Sequence, residues 1–440
     1  MKMRSSQLRA GCRRPLARGL RTALPVALAA TFHSVFAAGA GAQSCMEWVL
    51  RSMEGPAPRW STSMAYDEHR GVAVLFGGGS LPGHGDTWEW NGTTWTFVAE
   101  SGPAPRASHA MAYDSAARRH IIFGGVDRSE IFGDTWAWNG VEWTQIANEG
   151  PWRRHNHAMA YDSVRDVMVL FGGFALQTPE TWELSGSTWT RVAQTGPRAR
   201  WDHAMAFDSF RGVTVLFGGW ASNNQRFNDT WTWDGAVWTQ VATEGPSPRA
   251  EPKMTYDSNR RVIVLHGGDD TEPGYLDDTW DWDGTRWTQI ATGGPPRRIS
   301  PDMAYDSRRQ AVILFGGSSD SGSTFLGDTW EYRRQPQLTI GASCPDGGPI
   351  RIEWSCTTPN GVIALLFARS AGNVNIPNGR PCAGTRLGLG PQSLQLVHTA
   401  RSDAMGAGVL NASAPRTACG GLLQALDLST CALSEVQAVK

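Results

Sequence analysis

Residues 55–101 read GPAPRWSTSMAYDEHRGVAVLFGGGSLPGHGDTWEWNGTTWTFVAES. Four short strands fit this stretch. Ser61 to Tyr66 makes strand a, followed by a polar turn from Asp67 to Arg70. Val72 to Phe76 is a continuous apolar run, which suits a strand b buried on both faces. Gly77-Gly78 ends it. Asp86-Thr87-Trp88-Glu89-Trp90 alternates polar and aromatic residues and suits strand c. Asn91-Gly92 tolerates the positive φ of a type I′ turn, so Thr94 to Ala99 returns as strand d. One such meander cannot bury both its faces alone; it needs neighbours of its own kind.

The neighbours are there. A Gly-Pro pair opens a unit at Gly55, Gly102, Gly150, Gly196, Gly245 and Gly294, with spacings of 47, 48, 46, 49 and 49 residues. The glycine pair recurs at Gly124, Gly172, Gly218, Gly267 and Gly316, and the turn at Asn139, Ser185, Asp234 and Asp283. The strand c tryptophan recurs at Trp136, Trp182, Trp231, Trp280 and Trp330. Seven residues on, the strand d tryptophan recurs at Trp143, Trp189, Trp238 and Trp287. A period in the high forties with one four-stranded sheet per repeat predicts a propeller. The glycine doublet after an apolar strand, followed by spaced aromatics, resembles the kelch-repeat family over residues 46–334. That resemblance implies an all-β, six-bladed β-propeller.

The sixth unit stops at Asp328-Thr329-Trp330-Glu331-Tyr332 without a strand d tryptophan. Glu47-Trp48-Val49-Leu50 precedes the first Gly-Pro as Glu142-Trp143-Thr144-Gln145 precedes a later one. Residues 46–52 are therefore expected to supply the outer strand of the sixth blade, which removes two open sheet edges. Kelch propellers resemble this closure. Residues 338–440 lack the repeat. Short strands at Leu338–Ile340, Ile350–Trp354, Val362–Phe367 and Ser393–His398, with five cysteines, predict a small disulfide-tied β-domain. It resembles the small C-terminal β-domains of bacterial secreted proteins, which implies attachment or sorting.

The first 42 residues read as a leader. Lys2, Arg4, Arg9, Arg13, Arg14, Arg18 and Arg21 precede an apolar stretch, and Ala40-Gly41-Ala42 fits a cleavage site. The expected products are a mature chain from Gln43, with a propeller over 43–334, in a secreted, periplasmic or cell-surface location. Cys45, Cys344, Cys356, Cys382, Cys419 and Cys431 remain, an even number suited to disulfides in an oxidising compartment. A bridge from Cys45 to Cys344 or Cys356 would pin the seam of the ring. A net charge of −1 with interspersed signs argues against nucleic acid as a partner, and no later stretch is long enough to span a bilayer.

In a four-stranded meander the a–b and c–d turns share one face, and the b–c and d–a loops the other. The b–c loops vary from blade to blade, so the ligand is expected on their face. Arg59, Arg106, Arg154, Arg200, Arg249 and Arg298 each follow a Gly-Pro glycine by four residues and should ring the channel mouth. Their guanidinium forks suit anions, carboxylates or sugars; alternatively each pairs with its blade's recurring carboxylate, Asp86, Asp134, Glu180, Asp229, Asp278 or Asp328. His109, His157 and His203 occur in three consecutive blades, as hydrogen-bonding residues or, less in keeping with one per blade, metal ligands. Trp60, Trp152, Trp201 and Trp220 lie outside the strand pattern, where flat rings suit sugar stacking or packing between loops. The repeating Met64, Met111, Met159, Met205, Met254 and Met303 read as core. Asp269, Asp270 and Glu272 read as a solvated acidic loop.

No nucleophile elbow, phosphate loop or H-E-x-x-H motif occurs. The kelch resemblance implies a monomeric binding scaffold for a protein or carbohydrate ligand, with no cofactor. The alternative it implies is a carbohydrate-active enzyme of the mutarotase-like kelch type, for which Arg106, Arg154, His157 and Glu180 are the compatible residues.

Overall fold

The computed structural model describes residues 45–439 except 81, 175–177, 271–273, 320–323, 342–347, 378–379 and 392. The leader and Cys12, Cys344 and Glu272 lie outside the described residues. Six four-stranded antiparallel sheets form the blades. In the first, strands a to d are Ser63–Asp67, Val72–Phe76, Thr87–Trp90 and Trp95–Ala99, hydrogen-bonded in that order. The a strands contact one another from blade to blade, and those of blades one and six meet, so the ring closes.

Alternation along strand b explains its apolar run. Val74 and Phe76 pack against the second blade, whereas Ala73 and Leu75 pack against the sixth. Every residue from Ala73 to Phe76 is fully buried, as a strand pressed on both faces requires. The methionines fill the same seams: Met111 meets Val74 and Phe76, and Met205 meets Val169 and Phe171. They are interblade core.

Strand a starts two residues later than the sequence suggests. Ser61 adopts φ 50°, and its counterparts Ser108, Asn156, Asp202, Glu251 and Ser300 do the same. A left-handed non-glycine residue cannot continue a strand, so these six residues form a separate feature.

The seam is built as expected. Met46–Ser52 pairs antiparallel with Thr329–Arg334, placing Trp48 opposite Tyr332. Trp48 does what each strand d tryptophan does. Its Nε1 donates to Thr279 Oγ1 of the preceding blade at 2.9 Å, as Trp143 donates to Thr87 and Trp95 to Thr329. A Cβ on Gly294 would fall 2.5 Å from the Trp48 ring, as one on Gly102 would from Trp143; the opening glycine clears space for that indole. Cys45 is bonded to Cys356, 311 residues away.

Beyond the ring, Gln337–Gly341, Gly348–Ser355 and Gly408–Ala414 form one sheet. Gln395–Arg401, Val362–Ala368, Leu422–Asp427 and Gln437–Ala438 form another, with Ala371–Asn375 and Arg386–Leu389 as a two-stranded flap. The two larger sheets share a core of Ile352, Trp354, Leu410, Leu365, Phe367 and Leu423. Cys382 is bonded to Cys431, and Cys419 is also disulfide-bonded. Among the described residues no helix is long and apolar enough to cross a membrane.

Candidate functional site

The six arginines lie inside the blades. Each is at most 1% exposed. Arg106 donates from Nη1 to Asp134 Oδ1 at 2.6 Å and from Nη2 to Oδ2 at 3.0 Å, and a further Nη1 bond reaches Gly124 O at 3.0 Å. Its Nε donates to Ala104 O at 3.0 Å. Asp134 also accepts from Trp136 Nε1 at 2.7 Å. Arg59, Arg200, Arg249 and Arg298 repeat the fork on Asp86, Asp229, Asp278 and Asp328. Arg154 makes a single contact with Glu180, at 3.3 Å, and Glu180 also pairs with Arg191. Burial opposes ionisation of Asp134, yet the bonds from Arg106 and Trp136 hold it below its ordinary value. The backbone of Arg106 belongs to the previous blade, accepting from Gly78 N at 2.9 Å and donating to His84 O at 3.2 Å. These arginines staple blade to blade and present no free fork to a ligand.

The histidines are wedges. His109, His157 and His203 each sit edge-on to a phenylalanine of the preceding blade: Phe76, Phe123 and Phe171. Burial, with Arg106 adding, pushes His109 down to about 3; burial and Arg200 do the same to His203, and His157 falls well below its usual range. All three are neutral at neutral pH. Among the described residues no group of three or more His, Cys, Asp or Glu is set to hold a metal ion. Arg106, Arg154, His157 and Glu180 are not brought together around a shared opening.

What the b–c and d–a loops do assemble is an aromatic arc. His155 stacks on Phe174 at 5.0 Å, Phe174 meets Trp201 at 5.2 Å, and Trp201 faces Trp220 at 6.1 Å. Arg226 lies 4.9 Å from the Trp220 ring and pairs with Asp269. Phe174 is 47% exposed. The backbones of Trp201 and Trp220 bridge, which fixes the d–a loop to the b–c loop. Trp60 stacks on Phe325. Trp152 stands apart, 72% exposed beside Arg153.

Next to the arc runs the left-handed ring. Ser61 N donates to Ser300 O, Ser108 N to Ser61 O, Asn156 N to Ser108 O, Asp202 N to Asn156 O and Glu251 N to Asp202 O, at 2.7–3.0 Å. These bonds lace adjacent blades around the axis and turn the six side chains toward a cavity of about 50 Å³. The side chains are not equivalent. Asn156 Nδ2 donates to Asp202 Oδ1, and Ser300 Oγ donates to Glu251 Oε2. Lys253 Nζ lies 3.8 Å from Asp302 Oδ1, and Asp302 accepts from Met64 N and Met303 N. Burial raises the Asp202 carboxyl well above its ordinary range, with Glu251's charge adding. Burial likewise raises Glu251 and Asp302. Toward the other face the channel widens to about 330 Å³, lined by the methionine, alanine and tyrosine rows.

The sequence reading found Trp201 and Trp220 but missed His155, Phe174, Asn156, Asp202, Glu251, Lys253 and Asp302. The signal was there: the column two residues after each arginine reads Ser, Ser, Asn, Asp, Glu, Ser.

Residues 141–317 match the family model described as the KLHDC2/KLHL20/DRC7 Kelch-repeats domain. Over that stretch the ring is similar to kelch-repeat domains, and its fold is that of a kelch-type propeller. The solved structure of YjhT is similar, with a TM-score of 0.53 at 13% identity, covering 65% of this chain and 96% of that one. Identity that low speaks for the kelch-type fold alone. No curated protein matches the chain.

Proposed function

We propose that this kelch-type propeller is a binding module whose ligand, a protein or a carbohydrate, seats on the b–c/d–a face at the aromatic arc. The observation that carries the reading is the breakdown of six-fold repetition there. Strand residues recur in every blade because every blade needs them. The arc of His155, Phe174, Trp201 and Trp220 and the neck of Asp202 and Glu251 do not recur in every blade, so blade stability does not require them. Aromatic faces beside hydrogen-bonding carboxylates suit a ligand with apolar faces and polar edges. The disulfides fit an oxidising compartment, which supports export of the chain after removal of residues 1–42.

The test is a glycan and peptide array probed with the mature chain, residues 43–440, and with its Trp201→Ala variant. A specific ligand is expected, weakened at least about tenfold by the loss of one anchoring ring, with the melting temperature nearly unchanged. A ligand that Trp201→Ala does not weaken would place the site elsewhere.

A further inference from the structure

We infer that the axial neck beneath the arc is a seat for a primary ammonium group on a narrow stem, the chemistry of a lysine side chain. The inference rests on the loop face being the ligand face.

The neck is rich in acceptors and poor in donors. Asp202 and Glu251 supply two carboxyl groups to its lining, against the amide of Asn156 and one ammonium, Lys253, which lies 3.8 Å from the Asp302 carboxylate. Four buried polar side chains line the same cavity without a hydrogen-bond partner among the described residues. They are Thr62, His109, His157 and His203, exposed to 2%, 5%, 7% and 6%. A neutral imidazole keeps one acceptor nitrogen, and a hydroxyl accepts as well as donates. An ammonium brings three donors and no acceptor, so it complements this set.

Charge agrees. With Asp202 and Glu251 ionised and Lys253 offset by Asp302, the neck is two charges negative. The flanking charges are already committed: Arg226 pairs with Asp269, and Arg200 with Asp229. An anion has no free cation to meet. Size agrees too. About 50 Å³ is room for a few water-sized groups, at roughly 10–15 Å³ each. That admits an ammonium and the end of its stem, while a sugar ring stays above on the arc.

The seat is lined by Asp202, Glu251, Lys253 and the neutral His109, His157 and His203, with the Asp302 carboxylate and the Arg226–Asp269 pair around it. A cation binds the ionised carboxyls. Because burial raises Asp202 and Glu251, binding should tighten as pH rises from acid toward neutrality. An alkylamine stays protonated throughout, with a pKa of about 10.

Calorimetric titration of the mature chain with Nα-acetyl-lysine methylamide, and with its Nε-acetylated form, reads the inference. The amine should bind at least about tenfold tighter than the acetylated form. Asp202→Asn with Glu251→Gln should weaken it by a similar factor. Lys253→Met removes the competing ammonium and should tighten it, a sign that misfolding cannot imitate. Equal binding of the two lysine forms would overturn the inference, as would indifference to the carboxyl variants. Glucosamine bound in preference to glucose, with no response to the lysine derivative, would overturn the narrow stem. Array ligands that survive the carboxyl variants but are lost with Trp201→Ala would leave the loop-face reading standing and end the ammonium seat alone.

Discussion

A single arginine per blade joins two levels of the molecule. The backbone of Arg106 is tied to Gly78 and His84 of the first blade, and its side chain to Gly124 and Asp134 of the second. The glycine doublet follows from that arrangement. Gly77 has φ +67°, and a Cβ there would lie 2.7 Å from Arg106 O. Removing the guanidinium leaves Asp134 half-enclosed without its partner, and breaking such a pair costs about 3–5 kcal/mol. Arg106→Ala should therefore lower unfolding free energy by an amount of that order in denaturant melts. Unchanged stability with lost ligand binding would return Arg106 to a ligand-facing role. The residue pattern was legible as an arginine and a carboxylate in every blade. Which of the two readings held was not legible, because spacing along the chain does not say whether a guanidinium points into a blade or out of it.

At the scale of elements, the seam decides whether six sheets make one ring. Residues 45–52 supply a disulfide at Cys45, an indole at Trp48 and the strand that carries it. Trp48 is sandwiched between Gly294, Thr279, His266 and Tyr332. Glu331 beside it is buried and paired with Arg51 of the closing strand and Arg333. Truncating a packed tryptophan typically costs about 3–5 kcal/mol. Trp48→Ala should lower the melting temperature of the whole propeller in one transition, and deletion of residues 43–52 should lower it further. A truncated chain melting like the intact one would refute closure by this strand. The closure was readable because the sixth unit lacked one strand and the chain before the first Gly-Pro held its match. Strand a was misplaced by two residues for a physical reason. The apolar run Met64-Ala65-Tyr66 marks the strand, but nothing in Ser61 or Asp202 announces a left-handed backbone. Beyond the ring, Ala371–Asn375, Arg386–Leu389, Gly408–Ala414 and Leu422–Asp427 escaped notice, because none of them alternates apolar and polar residues cleanly enough for strand reading.

For the molecule as a whole, repetition is both the strength of the sequence reading and the cause of its blind spot. Columns identical in six blades build the ring and are easily seen. The proposed site lies in columns that differ, and a differing column carries no periodic signal. Trp201 and Trp220 stood out as aromatics outside the strand pattern. Asp202 and Glu251 did not, because single acids in d–a loops look like solvated turns until the ring turns them toward the axis. The most direct measurement is hydrogen–deuterium exchange of the mature chain with and without an array-selected ligand. The account predicts protection confined to residues 155–174, 201–202, 220–226 and 251 on the b–c/d–a face. Protection instead at the a–b turns, around residues 68–70, 115–118 and 209–211, would contradict it.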